Sequence, residues 1–222
     1  MIHMKDILFL DSKVKMPLTE LPVRTVVVKV GAGAVLISPG SQLLDEQYRT
    51  PWPITDIVAP NNFHTAGVVK AQRHFPQAIL WGCEGAPEKH SHLAWQKLFG
   101  RDVWPYEEEL SAFPIHGIPS VNETVFLHKP SKSLIVTDLC FNLSECRGLG
   151  ANIIFRLFGT YNRFGVSRLM ASLIRDRKAF TDSLSALFQN DFDRIIMSHG
   201  IPIENDAKRK LREALHERSL TV

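Results

Sequence analysis

Three apolar runs in this chain stop on side chains able to ligate a metal, and no other feature narrows the fold and the chemistry as much. Leu134-Ile135-Val136-Thr137 ends on Asp138, and Ile195-Ile196-Met197-Ser198 ends on His199-Gly200. A third run, Asp56-Ile57-Val58-Ala59-Pro60, enters Asn61-Asn62-Phe63-His64-Thr65-Ala66-Gly67. Short β-branched runs closed by glycine, proline or asparagine read as strands. A strand's hydrogen-bonded backbone holds its last residue still while leaving the side-chain tip at the sheet edge. His64, Asp138 and His199 at three such ends point to a divalent metal site. Each alone has an ordinary reading: Asp138 as an N-cap for the residues after its strand, His64 as an N-cap or packed against the helix it opens, and His199 as the cap of the following helix. The constellation carries the inference.

The first half of the chain reads as strands. Ile7–Leu10 precedes Thr25–Val30, a Gly31-Ala32-Gly33 turn and Ala34–Ser38, so a hairpin is predicted there. Asp56–Ala59 and Ala78–Trp81 flank a helix within Ala66–Phe75, a unit that supports some parallel pairing. Ala112–Ile115 is a further strand, and Thr124–His128 with Ser133–Thr137 forms a second hairpin around Lys129-Pro130-Ser131-Lys132. The second half turns helical over Ala151–Phe158, Ser167–Gln189 and Asp206–Arg218, with one strand, Arg194–Met197, before the last helix. In Ser167–Gln189 the spacing of Leu169, Leu173, Phe180, Leu184 and Leu187 marks a buried stripe. Strands first and helices around one late strand argue against a doubly wound sheet. No GxGxxG, GxxxxGK[ST] or GxSxG motif occurs.

Composition excludes several classes. A net charge of +3 over 222 residues is too small to imply a nucleic-acid partner. Cys83, Cys140 and Cys146 show no paired spacing, which argues against a disulfide framework and for a reducing compartment. The N-terminal residues lack a signal-peptide pattern, and no apolar run approaches the roughly 18 residues of a membrane span. The expectation is a cytoplasmic protein of one domain over residues 1–222, without membrane contact, acting on a small-molecule substrate or ligand.

The order of elements resembles the metallo-β-lactamase superfamily, and the resemblance runs from the second strand through His199-Gly200. Within it, PNNFH and LIVTDLCFN look like an uncharacterised bacterial and plant branch. The resemblance implies an α+β fold, an αββα four-layer sandwich. The superfamily loop is His-x-His-x-Asp-His-x-x-Gly. Counted back from Gly67, His64 matches the last histidine. Phe63 stands at the aspartate, Asn61 at the second histidine and Ala59 at the first. Asp138 matches the carboxylate that bridges two metals, and His199 the final histidine. The remaining family histidine follows a Pro-Gly turn before the second hairpin, and His116 in Ile115-His116-Gly117 is its nearest counterpart. Full members work through a metal-bound hydroxide and a partner metal. Here the resemblance implies a reduced, at most mononuclear site holding one Zn²⁺ or Fe²⁺, with bound water as nucleophile. Asn61 and Asn62 are assigned to orient substrate or that water through their amides, beside Asp138.

Three other features are weighed. Glu88-Lys89-His90-Ser91-His92 reads as an exposed loop leading into a helix over Leu93–Phe99, with Ser91 as its N-cap. Phe63 is expected to bury its ring against the helix that follows. Arg147–Lys178 interleaves arginines with Phe155, Phe158, Tyr161 and Phe164. It is read as an insertion that packs its aromatics on the core, with a cleft cover, a membrane-surface patch or a self-association surface as the functional alternatives. The leading function is a metal-dependent hydrolase-like protein. The alternative is a catalytically silent small-ligand binder or an oligomeric interaction protein on the same fold.

Overall fold

The computed structural model describes residues 3–16, 19–143 and 155–221. Two sheets stack face to face. The first runs in order through β1 (His3–Met4), β2 (Ile7–Met16), β3 (Thr19–Val30), β4 (Gly33–Ile37), β5 (Ile54–Ala59), β6 (Ile79–Gly82) and β7 (Lys97–Leu98). The second has the order β13 (Arg194–Met197), β10 (Ser133–Val136), β9 (Thr124–His128), β8 (Leu110–Pro114). Short strands β11 (Phe141–Asn142) and β12 (Phe164–Gly165) pair separately. Helices α1 (Val68–His74) and α2 (Ala86–Lys89) follow β5 and β6. Helices α3 (Arg168–Leu173) and α4 (Arg177–Phe188) precede β13, and α5 (Ala207–His216) follows it.

Period-two alternation explains the layering. Phe9, Val26, Val28, Val35, Ile37 and Val58 of the first sheet meet Phe126, Ile135 and Ile196 of the second in one shared core. Their neighbours point the other way. Leu8, Val27, Leu36 and Ile57 cover Val68 and Ala71 of α1, while Leu127, Leu134, Ile195 and Met197 cover Phe180, Leu184, Leu211 and Leu215. A sheet apolar on both faces must be covered on both, and that gives helix, sheet, sheet, helix. The αββα expectation holds.

Three elements differ from their sequence reading. Strands β2 and β3 extend beyond Leu10 and before Thr25, pairing through Lys15↔Glu20, Lys13↔Pro22 and Asp11↔Arg24. Charges and Pro22 disguised this half of the hairpin. The helix over Ser167–Gln189 is two helices. Arg175 N–H and Asp176 N–H both donate to the Gly117 carbonyl, which breaks the helical ladder. Ser167 caps α3 through the Met170 N–H, and Asp176 caps α4 through the Ala179 N–H. Residues 93–99 form no helix. Leu98 sits in edge strand β7 beside Gly82, and the Asp102 carboxylate takes the Leu98 N–H at 2.9 Å.

Of the basic, aromatic segment, residues 147–154 lie outside the described residues, as does Cys146. In its described part, Phe155, Phe158 and Tyr161 gather with Leu21, Phe141 and Leu143. Arg156 lies over the Tyr161 ring, 4.9 Å from its centre, and Arg163 pairs with Glu217. No helix among the described residues is long and apolar enough to cross a membrane.

Candidate metal centre

Parallel pairing brings the strand ends together. β10 and β13 run parallel with Val136 opposite Met197, so Asp138 and His199, each two residues on, emerge at the same edge. β4 and β5 are also parallel, with Ile37 opposite Val58, and their C-terminal ends deliver Ser38 and the loop that carries His64. The antiparallel partner β3 sets Pro22 and Arg24 at this edge from the other direction. The two sheets are laced there: Arg24 N–H donates to the Ser198 carbonyl at 2.8 Å, and Ser198 Oγ donates to the Arg24 carbonyl at 3.1 Å.

The side chains converge. His64 Nε2 lies 3.2 Å from His199 Nε2 and 3.3 Å from Asp138 Oδ2, and His199 Nε2 lies 3.5 Å from Asp138 Oδ1. One donor atom from each of the three falls within 4.8 Å of the others, a spacing that one ion can span. Each imidazole is held from behind. His199 Nδ1 faces the Pro22 carbonyl at 2.8 Å, and a carbonyl only accepts, so Nδ1 carries a proton and Nε2 is the nitrogen aimed inward. His64 Nδ1 meets Ser38 Oγ at 2.6 Å. Phe141 stacks on the His199 ring, 5.5 Å between centres and 10° from parallel.

Asp138 is set by charge and hydrogen bonds together. Its burial alone would raise its pKa, but His64 and His199 outweigh that and hold the carboxyl well below the usual carboxylate range. Beneath it sits Glu123, 2% exposed, which sequence reasoning missed. Glu123 Oε1 accepts the Thr137 N–H at 2.6 Å, and Oε2 accepts the Asp138 N–H at 3.0 Å. Burial, reinforced by the Asp138 charge, pushes the Glu123 carboxyl upward. Among the described residues no lysine or arginine pairs with either carboxylate.

No family model matches the chain, and no curated protein matches it. Solved structures do. FIM-1 metallo-β-lactamase from Pseudomonas aeruginosa in its mono-zinc form aligns at TM-score 0.67 and 15% identity, over 99% of this chain and 95% of that one. A metallo-β-lactamase from Pontibacter korlensis aligns at TM-score 0.66 and 16% identity, over 95% and 94%. One from Hirschia baltica aligns at 0.61 and 10%, over 99% and 94%. This chain has the metallo-β-lactamase fold. At identities this low the superposition establishes the fold alone.

Within that metallo-β-lactamase fold, Asn61 is fully buried and works as a brace. Its Oδ1 accepts the Phe63 and His64 N–H groups at 2.8 and 3.0 Å, which fixes the orientation of the amide. Its Nδ2 then donates to Thr137 Oγ1 at 2.8 Å and Asp138 Oδ2 at 2.7 Å. Asn62 turns to the neighbouring loops, with Nδ2 on the Ser120 carbonyl at 3.4 Å and Oδ1 accepting from Cys83 Sγ at 3.5 Å. His116 stands apart from the three converging side chains: it is exposed, and its N–H donates to Ser183 Oγ of α4. Phe63 does not bury its ring; it is 59% exposed, because the Asn61 brace turns its backbone inward and its side chain out. His90 Nε2 reaches the Asn62 carbonyl at 2.8 Å, while His92 stays exposed. Cys140 is fully buried in the helix-side core.

Close packing seats the His64 loop. A Cβ on Gly67 would lie 2.1 Å from the Pro39 carbonyl oxygen, a backbone atom that cannot swing away. Gly67→Ala is therefore expected to lower stability by about 2–3 kcal/mol, as overpacking of a tight contact does, and to displace His64 from Ser38. Urea unfolding measures the first effect; an unchanged midpoint would mean that the loop is not seated on residues 39–40.

Proposed function

We propose that His64, Asp138 and His199 hold one divalent ion, Zn²⁺ or Fe²⁺, and that the protein is a metal-dependent hydrolase-like enzyme of unassigned substrate. The observation that carries this reading is the inward convergence of two imidazole Nε2 atoms and a carboxylate, with both Nδ1 atoms engaged behind them. Three Lewis bases so close repel one another unless a cation or a proton lies between them. Among the described residues neither Asp138 nor the buried Glu123 pairs with a lysine or arginine, and a divalent charge would offset both. Two histidines and one carboxylate suit Zn²⁺ or Fe²⁺ and leave coordination positions open.

An ion held by these three side chains would supply Lewis acidity. The chain's own residues do the rest. Pro22 and Ser38 fix the two rings, Asn61 occupies one side of Asp138 Oδ2, and Glu123 pins the backbone that carries Asp138. The Asn61 amide also supports a single ion. It points N–H groups, not a lone pair, at Thr137 Oγ1 and Asp138 Oδ2, so it offers no ligand to a second cation there.

Elemental analysis of protein loaded with zinc or iron and then desalted should find one ion per chain. Two per chain would overturn the mononuclear reading. None, under either metal, would favour the silent small-ligand binder, which a thermal-shift screen of metabolites would then pursue.

A further inference from the structure

Arg24 stands beside the centre, and every nitrogen of its guanidinium has an acceptor. It is 9% exposed and lies over the Phe9 ring, 4.8 Å from its centre. Nε and Nη2 donate to the two oxygens of Asp11 at 2.9 and 3.3 Å. Nη1 donates to the Gly200 carbonyl at 2.8 Å and to the Met197 carbonyl at 3.4 Å. Those two carbonyls bracket Ser198-His199. Gly200 in this turn has φ +110° and packs against Asn142 so tightly that a Cβ would lie 2.0 Å from the Asn142 carbonyl oxygen.

We propose that Arg24, anchored by Asp11, is a positioning residue for His199. It holds both ends of the turn, so that the His199 ring keeps its Nδ1 bond to Pro22 and its Nε2 aimed at His64 and Asp138. A planar fork is required, because one edge must grip a carboxylate while the remaining nitrogen reaches two carbonyls. The inference rests on the metal-site reading and assigns to it a residue of β3 that bonds the backbone on either side of His199.

The test is Co²⁺ affinity, by competition with a chromophoric chelator, in wild type, Arg24→Met, Arg24→Lys and Asp11→Asn, with the visible cobalt spectrum of each. Buttressing groups behind ligating histidines are commonly worth tenfold to a hundredfold in affinity. Arg24→Met should weaken Co²⁺ binding by about that factor and alter the cobalt bands. Asp11→Asn should weaken it less, and Arg24→Lys should recover part of the loss. Val27→Ala, a cavity in the outer core of the same strand, serves as a control for stability alone and should leave affinity and spectrum unchanged. If Arg24→Met does not fold, Arg24→Lys and Asp11→Asn decide the matter. Arginine and aspartate variants with wild-type affinity and spectrum would overturn the positioning role. A wild type that binds no Co²⁺ would instead overturn the metal-site reading, and the role of Arg24 with it.

Discussion

Asp138→Ala should abolish the rise in melting temperature that zinc gives the wild-type protein. A ligand at about a hundred times its dissociation constant stabilises the folded state by about 2.7 kcal/mol. For a chain of this size that corresponds to a shift of roughly 5–10 °C. The alanine variant keeps both imidazoles but loses the carboxylate that draws the ion between them, and two neutral histidines bind a divalent ion far more weakly than the full set. Removing the carboxylate also frees the Asn61 amide, which then has only Thr137 to receive it. The measurement is thermal melting of both proteins with zinc and with chelator. Equal zinc-induced shifts would place binding elsewhere on the molecule, at exposed histidines such as His92 or His116, and remove the basis of the proposed centre.

Glu123→Ala should cost about 2–3 kcal/mol of folding stability, even in chelator, because two buried N–H groups lose their acceptor. The opposing effect is real: a buried carboxylate beside Asp138 is repelled by it, and its removal relieves that repulsion. Hydrogen bonding is expected to win, since both Glu123 oxygens accept, at 2.6 and 3.0 Å, from adjacent backbone N–H groups that would lose their acceptor. Glu123→Gln separates the two effects. It removes the charge and keeps one acceptor, so it should fall between wild type and alanine in urea unfolding. A glutamine variant more stable than wild type would show that repulsion dominates. Glu123 would then be retained at a cost to stability, and only a balancing cation would explain it.

Much of this molecule was legible before its fold was known. The runs ending at Asp138 and His199 are short, β-branched and closed by polar residues, so strand identity and strand end were both local properties. The β9–β10 hairpin and the Gly31-Ala32 turn were equally local, because turn residues sit between alternating runs. Less legible was the lower half of the β2–β3 hairpin, where charge and Pro22 mask an alternation that only cross-strand pairing reveals. That loss mattered, since Pro22 and Arg24 lie there. Phe63 was misread because burial of an aromatic ring is the common outcome in a loop before a helix. Here the Asn61 brace fixes the backbone first and leaves the ring outside.

Local sequence determined the strands, their polar ends and the identity of three inward-facing donors: a run of β-branched residues closed by a turn needs no distant partner to be recognised. Only the tertiary structure decided that the three donors meet. Parallel register between β10 and β13 brings Asp138 level with His199, and that pairing joins segments some sixty residues apart, which no local pattern encodes. The same is true of the groups behind the donors. Ser38, Pro22 and Glu123 act through a hydroxyl, a backbone carbonyl and a carboxylate that differ in nothing local from dozens of others. They acquire a role only because two sheets packed face to face bring them within hydrogen-bonding distance of the centre, where burial makes each unpaired polar group costly.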